Sequence, residues 1–236
     1  MPGIAHFLNH LHFRYISPQD VSLSMHLSSE MHNLQLPAEY AHFYQALLPL
    51  QEIPRMSSFG VAAIIGCCLQ HLPAGQCYLN IGVWYGFSFF SGLLLAPEAH
   101  CIGVDNFSEF SNENPREAFL KQLQSFKAGA RHDFYDMDYR DYFKQQTPPP
   151  IGLYFYDGAH DYQSQYEALT LARPFLAPDA IILVDDTNFE EPRQATLDFV
   201  KAHPDTVIVA DLSTANNYHP TFWNGLMILR YRPAGR

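Results

Sequence analysis

The stretch YLNIGVWYGFS, residues 78–88, joins two apolar segments through a turn that contains two glycines. The first segment is typical of a buried strand and the second of a helix. Gly82 and Gly86 lack a Cβ, so the turn can adopt unusual dihedrals and a ligand can come close to the backbone. The helix that follows offers N–H groups that have no partners within the helix. This order predicts an α/β sheet that holds a nucleotide-like cofactor at the turn.

The glycine spacing indicates which cofactor this turn can hold. A dinucleotide-binding turn has the pattern GxGxxG, whereas residues 82–88 have the pattern GxxxGxS and lack its second glycine. The spacing therefore disfavours a nicotinamide dinucleotide. Taken alone, it fits an ordinary strand–turn–helix corner equally well, and the later strands decide between the two interpretations.

Three further apolar strands end in acidic residues. Residues 101–104 precede Asp105, residues 151–156 precede Asp157, and residues 180–184 precede Asp185 and Asp186. Open α/β sheets bind ligands at the carboxyl ends of their strands, so we expect these carboxylates to share one edge of the sheet. Asp105 follows the glycine turn by about twenty residues, where an acidic side chain accepts hydrogen bonds from ribose hydroxyls.

The carboxylates after the last two strands suit a divalent cation. Carboxylate oxygens are ligands that Mg²⁺ prefers, and unpaired carboxylates close together repel one another unless a cation lies between them. An Asp at a strand end can instead cap the next helix, and for Asp157 alone this is the simpler role. His160 can act as a general base, with a pKa that burial and a nearby cation would lower, or it can bond to a loop.

These motifs, in this order, resemble those of the class I S-adenosylmethionine-dependent O-methyltransferases. The chain looks like the metal-dependent group of catechol O-methyltransferase and the macrocin-type sugar O-methyltransferases, together with the cephalosporin-hydroxylase-like proteins. The resemblance covers about residues 57–231 and rests on four motifs, at residues 80–88, 103–105, 157–162 and 183–187. It implies a Rossmann-like, mostly parallel sheet of seven strands, with helices on both faces and an antiparallel last strand.

The resemblance also implies roles for individual residues. It places Asp157, Asp185 and Asp186 at the family's metal ligands, and His160 with Asp157 at its catalytic groups. The residues implied to bind S-adenosylmethionine lie on the strand-end loops: Asn80, Gly82, Gly86, Ser88, Asp105, Asp138 and Asp157. Asp136 competes with Asp138 for the contact to adenine. The family usually has an acidic residue in place of Asn80, which predicts a weaker contact to the methionine amino group.

Composition argues against several classes of function. The chain has 236 residues and a formal net charge of −10, from 14 Lys and Arg against 24 Asp and Glu. Nucleic acids are bound through clustered Lys and Arg, and no such cluster occurs, so we expect no nucleic-acid partner. The most apolar stretch, residues 61–69, is too short to span a membrane. Four cysteines without a CxxC pair predict a reducing, cytoplasmic location.

We expect residues 1–55 to form a helical N-terminal extension and residues 56–236 to form the methyltransferase domain. In related enzymes such an extension covers the substrate or builds a subunit contact, which leaves a homo-oligomer open. His10 and His12 have no nearby carboxylate or cysteine in sequence to complete a metal site, so we interpret them as surface or interface residues. The aromatic and polar tail at residues 216–223 is expected to form part of the acceptor pocket.

Two apolar stripes predict helices outside the motifs. The first lies within residues 37–48 and has four apolar side chains on one face: Tyr40, Phe43, Tyr44 and Leu47. The second follows Asp157 and has five: Tyr162, Tyr166, Leu169, Ala172 and Leu176.

The sequence thus predicts a Mg²⁺-dependent enzyme that moves a methyl group from S-adenosylmethionine to a hydroxyl of a small molecule, with a natural-product sugar as one candidate. A hydroxylase-like or degenerate relative would bind the cofactor without methylating, and Asn80 is the feature that permits this alternative. A nicotinamide-dependent oxidoreductase is a third class, which the glycine spacing disfavours.

Overall fold

The computed structural model describes residues 2–23, 27–109, 113–126 and 129–233. The N-terminal part contains short elements: α1 (Pro2–His10), β1 (His12–Phe13), α2 (Leu27–Asn33), β2 (Leu34–Gln35) and α3 (Phe43–Ala46). Single 3₁₀ turns flank α3, at Ala38–Tyr40 and Leu48–Leu50. The helical stripe predicted within residues 37–48 is therefore split into short pieces. The chain turns between them, so that Tyr40, Phe43 and Leu47 are all buried.

The remainder alternates helices and strands. The first elements are α4 (Phe59–Gln70), β3 (Cys77–Ile81), α5 (Phe87–Leu95), β4 (His100–Asp105), α6 (Pro115–Phe126), β5 (His132–Asp136) and α7 (Tyr139–Gln145). They are followed by β6 (Ile151–Tyr156), α8 (Tyr162–Ala172), β7 (Leu176–Val184), α9 (Glu190–Ala202), β8 (Thr206–Leu212) and β9 (Leu226–Tyr231). Within the described residues, every helix is too short or too polar to cross a bilayer.

Strands β3 to β9 form one sheet of seven strands in the order β5-β4-β3-β6-β7-β9-β8. The pairs from β5 through β7 are parallel, and β9 runs antiparallel to both of its neighbours. This is the predicted Rossmann-like sheet with an antiparallel last strand. The chain order reverses between β3 and β6, and open α/β sheets bind ligands at such a switch point.

Helices cover both faces of this sheet because its inner strands are apolar on both sides. Along β6, Leu153 and Phe155 pack into the cluster that includes α4, α5 and α6, whereas Tyr154 and Tyr156 pack into the cluster that includes α7, α8 and Phe199 of α9. Successive side chains of a strand point to opposite faces, so one strand serves both layers.

The helix predicted after Asp157 ends earlier than its apolar stripe. Leu176 is the first residue of β7, and the assignment of this residue to the helix is wrong. Pro174 follows the last helical residue, Ala172, by two positions and lies in a 3₁₀ turn. A proline inside a helix removes a backbone donor and clashes with the preceding turn, so the helix stops before it.

The N-terminal part packs directly on the core. Ile4, Phe7 and Phe43 belong to the same buried cluster as α4. The structure shows no candidate metal cluster at His10 or His12 among the described residues, and His10 Nδ1 bonds to the carbonyl of His6 at 2.8 Å. The boundary between residues 55 and 56 stays a prediction.

A buried ion pair fastens this part to α4. Glu30 of α2 accepts a hydrogen bond from Arg55 Nη2 at 2.8 Å and another from the backbone N–H of Phe59 at 2.9 Å. The Glu30 side chain is 1% exposed and that of Arg55 is 13% exposed. Burial raises the pKa of Glu30, while the positive charge of Arg55 and the Phe59 N–H oppose that rise.

We expect Arg55→Ala to lower the free energy of unfolding by ~3–5 kcal/mol near neutral pH, because it leaves a buried carboxylate without its cation. The loss should shrink near pH 3, which lies below the ordinary Glu pKa of about 4.3, because the pKa of Glu30 is raised in the folded protein and the side chain is then mostly protonated in both states. Urea unfolding at both pH values measures this effect. Glu30→Gln is the matched control, since it removes the charge and keeps the shape, and it should cost less. Equal losses at both pH values would contradict the ion-pair interpretation.

Candidate active site

A cavity opens at the carboxyl ends of β3, β4 and β6, beside the switch point. Six residues implicated by sequence line it: Gly82, Ser88, Asp105, Asp138, Asp157 and His160. Asn80, Gly86, Asp185 and Asp186 do not line it. The tail at residues 216–223 is also absent from this wall, so its predicted role in an acceptor pocket is not supported by the cavity.

The glycine turn forms one wall because its backbone lies against the end of β6. Gly82 has φ +79°, and a Cβ at this position would overlap the carbonyl oxygen of Asp157. The glycine turn and the residue that follows β6 are thus in main-chain contact. Gly86 has φ +96° and is the N-cap residue of α5, where a Cβ would collide with the ring of Phe90. Gly86 therefore does not line the cavity, but it allows the backbone conformation of the turn.

Two aromatic residues of the cavity wall have a left-handed backbone. Trp84 has φ +46° and Phe107 has φ +50°. Bulky residues rarely adopt this conformation, and such strain persists only where the surroundings impose it. The backbone N–H of each residue donates a hydrogen bond to the Asp105 carboxylate, and these bonds hold the strained conformation.

Asp105 holds the glycine turn with its carboxylate. Its Oδ2 accepts hydrogen bonds from the backbone N–H groups of Val83 and Trp84, both at 2.8 Å, and its Oδ1 accepts one from Phe107 N at 2.7 Å. An ionised carboxylate has about four acceptor sites, so roughly one remains for a ligand. Sequence reasoning predicted only the ribose contact and missed this structural role, because two of the three bonded partners, Val83 and Trp84, lie about twenty residues away.

Asn80 lies behind the cavity wall. It is fully buried, and its Oδ1 accepts hydrogen bonds from Ser88 Oγ at 2.9 Å and Tyr78 OH at 3.2 Å. Its Nδ2 donates to the carbonyl of Gly82 at 3.0 Å. Asn80 therefore influences a ligand in this cavity through Ser88 and Gly82, because both polar atoms of its amide are bonded behind the wall.

The structure separates the two candidates for the adenine contact. Asp138 lines the cavity and caps α7 by accepting a hydrogen bond from Arg140 N at 2.8 Å. Asp136 does not line the cavity, and its Oδ2 is paired with Arg116 at 2.6 Å. The geometry therefore favours Asp138.

A cluster of Asp157, His160 and Asp186 adjoins the cavity. Each residue offers one ligand atom, and these atoms all lie within 4.8 Å of one another. His160 Nε2 is 2.5 Å from Asp186 Oδ2 and 4.0 Å from Asp157 Oδ1. Hard carboxylate oxygens together with an imidazole nitrogen fit a divalent cation.

The charges in this cluster set its protonation. Burial alone would lower the pKa of His160, but hydrogen bonds and negative charge from Asp157 and Asp186 raise it to about 11. This reverses the shift that the sequence predicted, because two carboxylates outweigh desolvation. Burial and the nearby Asp186 charge raise the pKa of Asp157 to about 6, against the opposing effect of His160.

Asp185 is not part of this three-residue cluster. It is buried, its Oδ1 accepts the backbone N–H of Asp186 at 3.0 Å, and its Oδ2 has no hydrogen-bond partner in the described parts of the chain. Asp185 and Asp186 therefore do not present their oxygens to one point, although they are adjacent in sequence, because the ligand atoms that lie close together belong to Asp157, His160 and Asp186. Burial, together with the charges of Asp157 and Asp186, raises the pKa of Asp185. An unpaired buried carboxylate oxygen beside the cluster is consistent with a site completed by a cation.

Asn224 is a residue of this site that sequence reasoning missed. Its Nδ2 donates a hydrogen bond to Asp186 Oδ1 at 2.6 Å. It lies one residue past the predicted tail segment and 38 positions from Asp186. No local pattern indicates such a contact.

Comparison with known proteins agrees with this architecture. The family model described as a methyltransferase domain matches residues 79–187. This match, over just under half of the chain, agrees with the class that the motifs predicted, the S-adenosylmethionine-dependent methyltransferases. The predicted enzyme class is therefore confirmed, whereas membership of the metal-dependent group stays a prediction. The matched segment begins in β3 and ends just after Asp186, so it includes the glycine turn and the whole acidic cluster.

Solved structures share this fold at low sequence identity. Cofactor-bound Rv0187 from MTB is 17% identical with a TM-score of 0.58, over 81% of this chain and 88% of that protein. The O-methyltransferase TomG from Streptomyces achromogenes, in complex with SAM, is 12% identical with a TM-score of 0.57, over 82% and 90%. A Bacillus cereus O-methyltransferase in complex with SAH is 11% identical with a TM-score of 0.57, over 83% and 91%. A search of curated proteins finds no match.

Proposed function

We propose that this domain transfers the methyl group of S-adenosylmethionine to a hydroxyl of a small molecule with the help of Mg²⁺ or another divalent cation. One observation carries the proposal: Asp157 and His160 line the same cavity as the glycine turn, so groups that can activate a hydroxyl adjoin the cofactor turn. The O-methyltransferases with the same fold support oxygen as the acceptor atom. A natural-product sugar is the acceptor class that the sequence resemblance suggests.

The cavity walls supply the binding groups. Gly82 and the first turn of α5 would border the methionine part, with Ser88 in the wall beside them. Asp105 has about one acceptor site left for a ribose hydroxyl, and Asp138 in the same cavity wall would accept a hydrogen bond from the adenine amino group. The sulfonium of S-adenosylmethionine supplies an electrophilic methyl group.

Asp157 and Asp186 would hold the cation, and His160 beside them would receive the hydroxyl proton. A bound divalent cation supplies positive charge that favours loss of that proton. With the cation absent, His160 is protonated near neutral pH and cannot act as a base. Positive charge beside the two carboxylates would offset their effect on His160 and favour its neutral, proton-accepting form. Asp157, with its pKa raised to about 6, is a second acceptor for the proton.

The degenerate or hydroxylase-like alternative loses its main support. It rests on Asn80, and Asn80 lies behind the cavity wall with its amide bonded to Ser88 and Gly82. A nicotinamide-dependent oxidoreductase would require a turn that accommodates a pyrophosphate, and this turn lacks the second glycine of that pattern.

Calorimetry tests the cofactor directly. We expect S-adenosylmethionine and S-adenosylhomocysteine to bind, and NAD to give no heat. Transfer of labelled methyl from S-adenosylmethionine to a panel of hydroxylated glycosides, with and without Mg²⁺, then tests the reaction. Tight binding of NAD with no response to S-adenosylhomocysteine would overturn the proposal.

A further inference from the structure

We propose that Asn224, on the loop between β8 and β9, is a positioning residue that holds Asp186 in place to bind a divalent cation. The inference rests on the proposed function, because it concerns the same cation. Asn224 Nδ2 bonds to Asp186 Oδ1 at 2.6 Å, and the other oxygen, Oδ2, lies 2.5 Å from His160 Nε2. Each oxygen of the carboxylate thus has a separate partner. The amide fixes one oxygen and so directs the other toward the cluster.

The orientation of the Asn224 amide is set by its own contacts. Its Oδ1 accepts a hydrogen bond from Tyr218 N at 2.9 Å, and its carbonyl oxygen accepts one from Asn188 N at 2.7 Å. A flipped amide would place an acceptor against the Asp186 carboxylate and a donor against the Tyr218 N–H. The side chain is buried, so neither lost bond would be replaced easily by water.

Asp186 needs such a restraint because its backbone is unusual. It has φ +58°, a left-handed conformation that persists only where surrounding contacts impose it. Only part of the restraint is local: the carbonyl of Asp186 accepts a hydrogen bond from Phe189 N at 3.0 Å, and Asp185 Oδ1 accepts one from Asp186 N. The carboxylate itself is held by His160 at Oδ2 and by Asn224 at Oδ1, and Asn224 is the partner that lies outside the cluster.

The loop that carries Asn224 is in turn held by the N-terminal part. Ala215 N donates to the carbonyl of Pro18 at 2.8 Å, and Asn216 exchanges two hydrogen bonds with the backbone of Ser22, at 2.9 and 2.8 Å. His219 Nε2 lies 2.8 Å from the carbonyl oxygen of Asp20, and its side chain is fully buried. The extension therefore supports the loop that orients Asp186.

The test measures Mn²⁺ affinity by calorimetry on folded protein, with S-adenosylhomocysteine affinity determined in the same samples. Removing an outer partner of a metal ligand typically weakens metal binding by about 10–100-fold, and we expect this of Asn224→Ala. Its S-adenosylhomocysteine affinity should not change. Asn217→Ala is the matched control, because it lies on the same loop and bonds to Asn188 without touching Asp186. It should keep the parent Mn²⁺ affinity.

The outcomes separate this inference from the proposed function. If Asn224→Ala folds and binds Mn²⁺ as the parent does, Asn224 has only a structural role and the inference fails alone. If the parent binds S-adenosylhomocysteine but no Mn²⁺, the metal dependence fails as well. Should Asn224→Ala not fold, Asn224→Ser keeps a shorter donor, and its Mn²⁺ affinity should fall below that of the parent. Parent affinity in Asn224→Ser would also overturn the inference.

Discussion

Gly82→Ala should abolish binding of S-adenosylhomocysteine. The added Cβ would overlap the carbonyl oxygen of Asp157, and both atoms belong to backbone that other strands hold in place. Gly82 N bonds to Val104 O at 2.9 Å and Asp157 N bonds to Ile81 O at 3.0 Å. The turn therefore cannot make room without separating from β4 or β6. Calorimetry with S-adenosylhomocysteine, together with circular dichroism to follow folding, measures the effect.

Gly75→Ala is the matched control for Gly82→Ala. Gly75 also has a left-handed backbone, with φ +85°, but a Cβ there would have no atom within 4 Å. This variant should lose only about 1–2 kcal/mol of stability from backbone strain and should bind the ligand normally. If Gly82→Ala and Gly75→Ala bound S-adenosylhomocysteine equally well, the close approach of the two backbones would have no role in binding. Substitution of Gly86 is expected to act differently, by displacing Phe90 and distorting the start of α5.

His160→Ala should reduce methyl transfer by on the order of 10²- to 10⁴-fold, with little change in S-adenosylhomocysteine affinity. His160 is the basic member of a cluster that otherwise contains carboxylates, so its loss removes either a proton acceptor or a cation ligand. Exhaustive chelation of the parent should cause a loss of similar size that Mg²⁺ restores. A His160→Ala enzyme with parent turnover would show that His160 is structural.

Cation affinity should rise with pH. A cation must displace the protons that the free cluster holds, and both relevant pKa values are raised, that of Asp157 to about 6 and that of His160 to about 11. At pH 7 the free cluster therefore still holds the His160 proton, and each displaced proton contributes up to a tenfold gain in affinity per pH unit. Mn²⁺ titrations between pH 6 and 9 should show this rise in the parent. In His160→Ala one proton fewer is displaced, so the logarithm of the Mn²⁺ affinity should rise less steeply with pH. An unchanged slope would exclude His160 from the cation site.

Local patterns in the sequence were sufficient for the main elements of the fold. The apolar runs between turn residues predicted β6 at Ile151–Tyr156 with the bounds that the structure has, and they predicted a strand directly before the glycine turn, where β3 lies. Gly82 was also predictable, because a turn between a strand and a helix leaves few residue types able to adopt its dihedrals. Leu176 was assigned to the wrong element because an apolar residue fits a helical stripe and a buried strand equally well, and Pro174 was the local signal that separates them.

Only the tertiary structure decided which side chains act together. The sequence placed Asp157, Asp185 and Asp186 at neighbouring strand ends. In the folded chain, His160 lies with Asp157 and Asp186, and Asp185 is outside this cluster. The upward shift of the His160 pKa follows from this grouping. Asp105 and Asn224 each bond to residues far along the chain, and such partners depend on how strands and loops pack against one another. Helices and turns depend on residues within a few positions, so the sequence determined them; the site depends on side-chain contacts between distant segments, which exist only once the chain has folded.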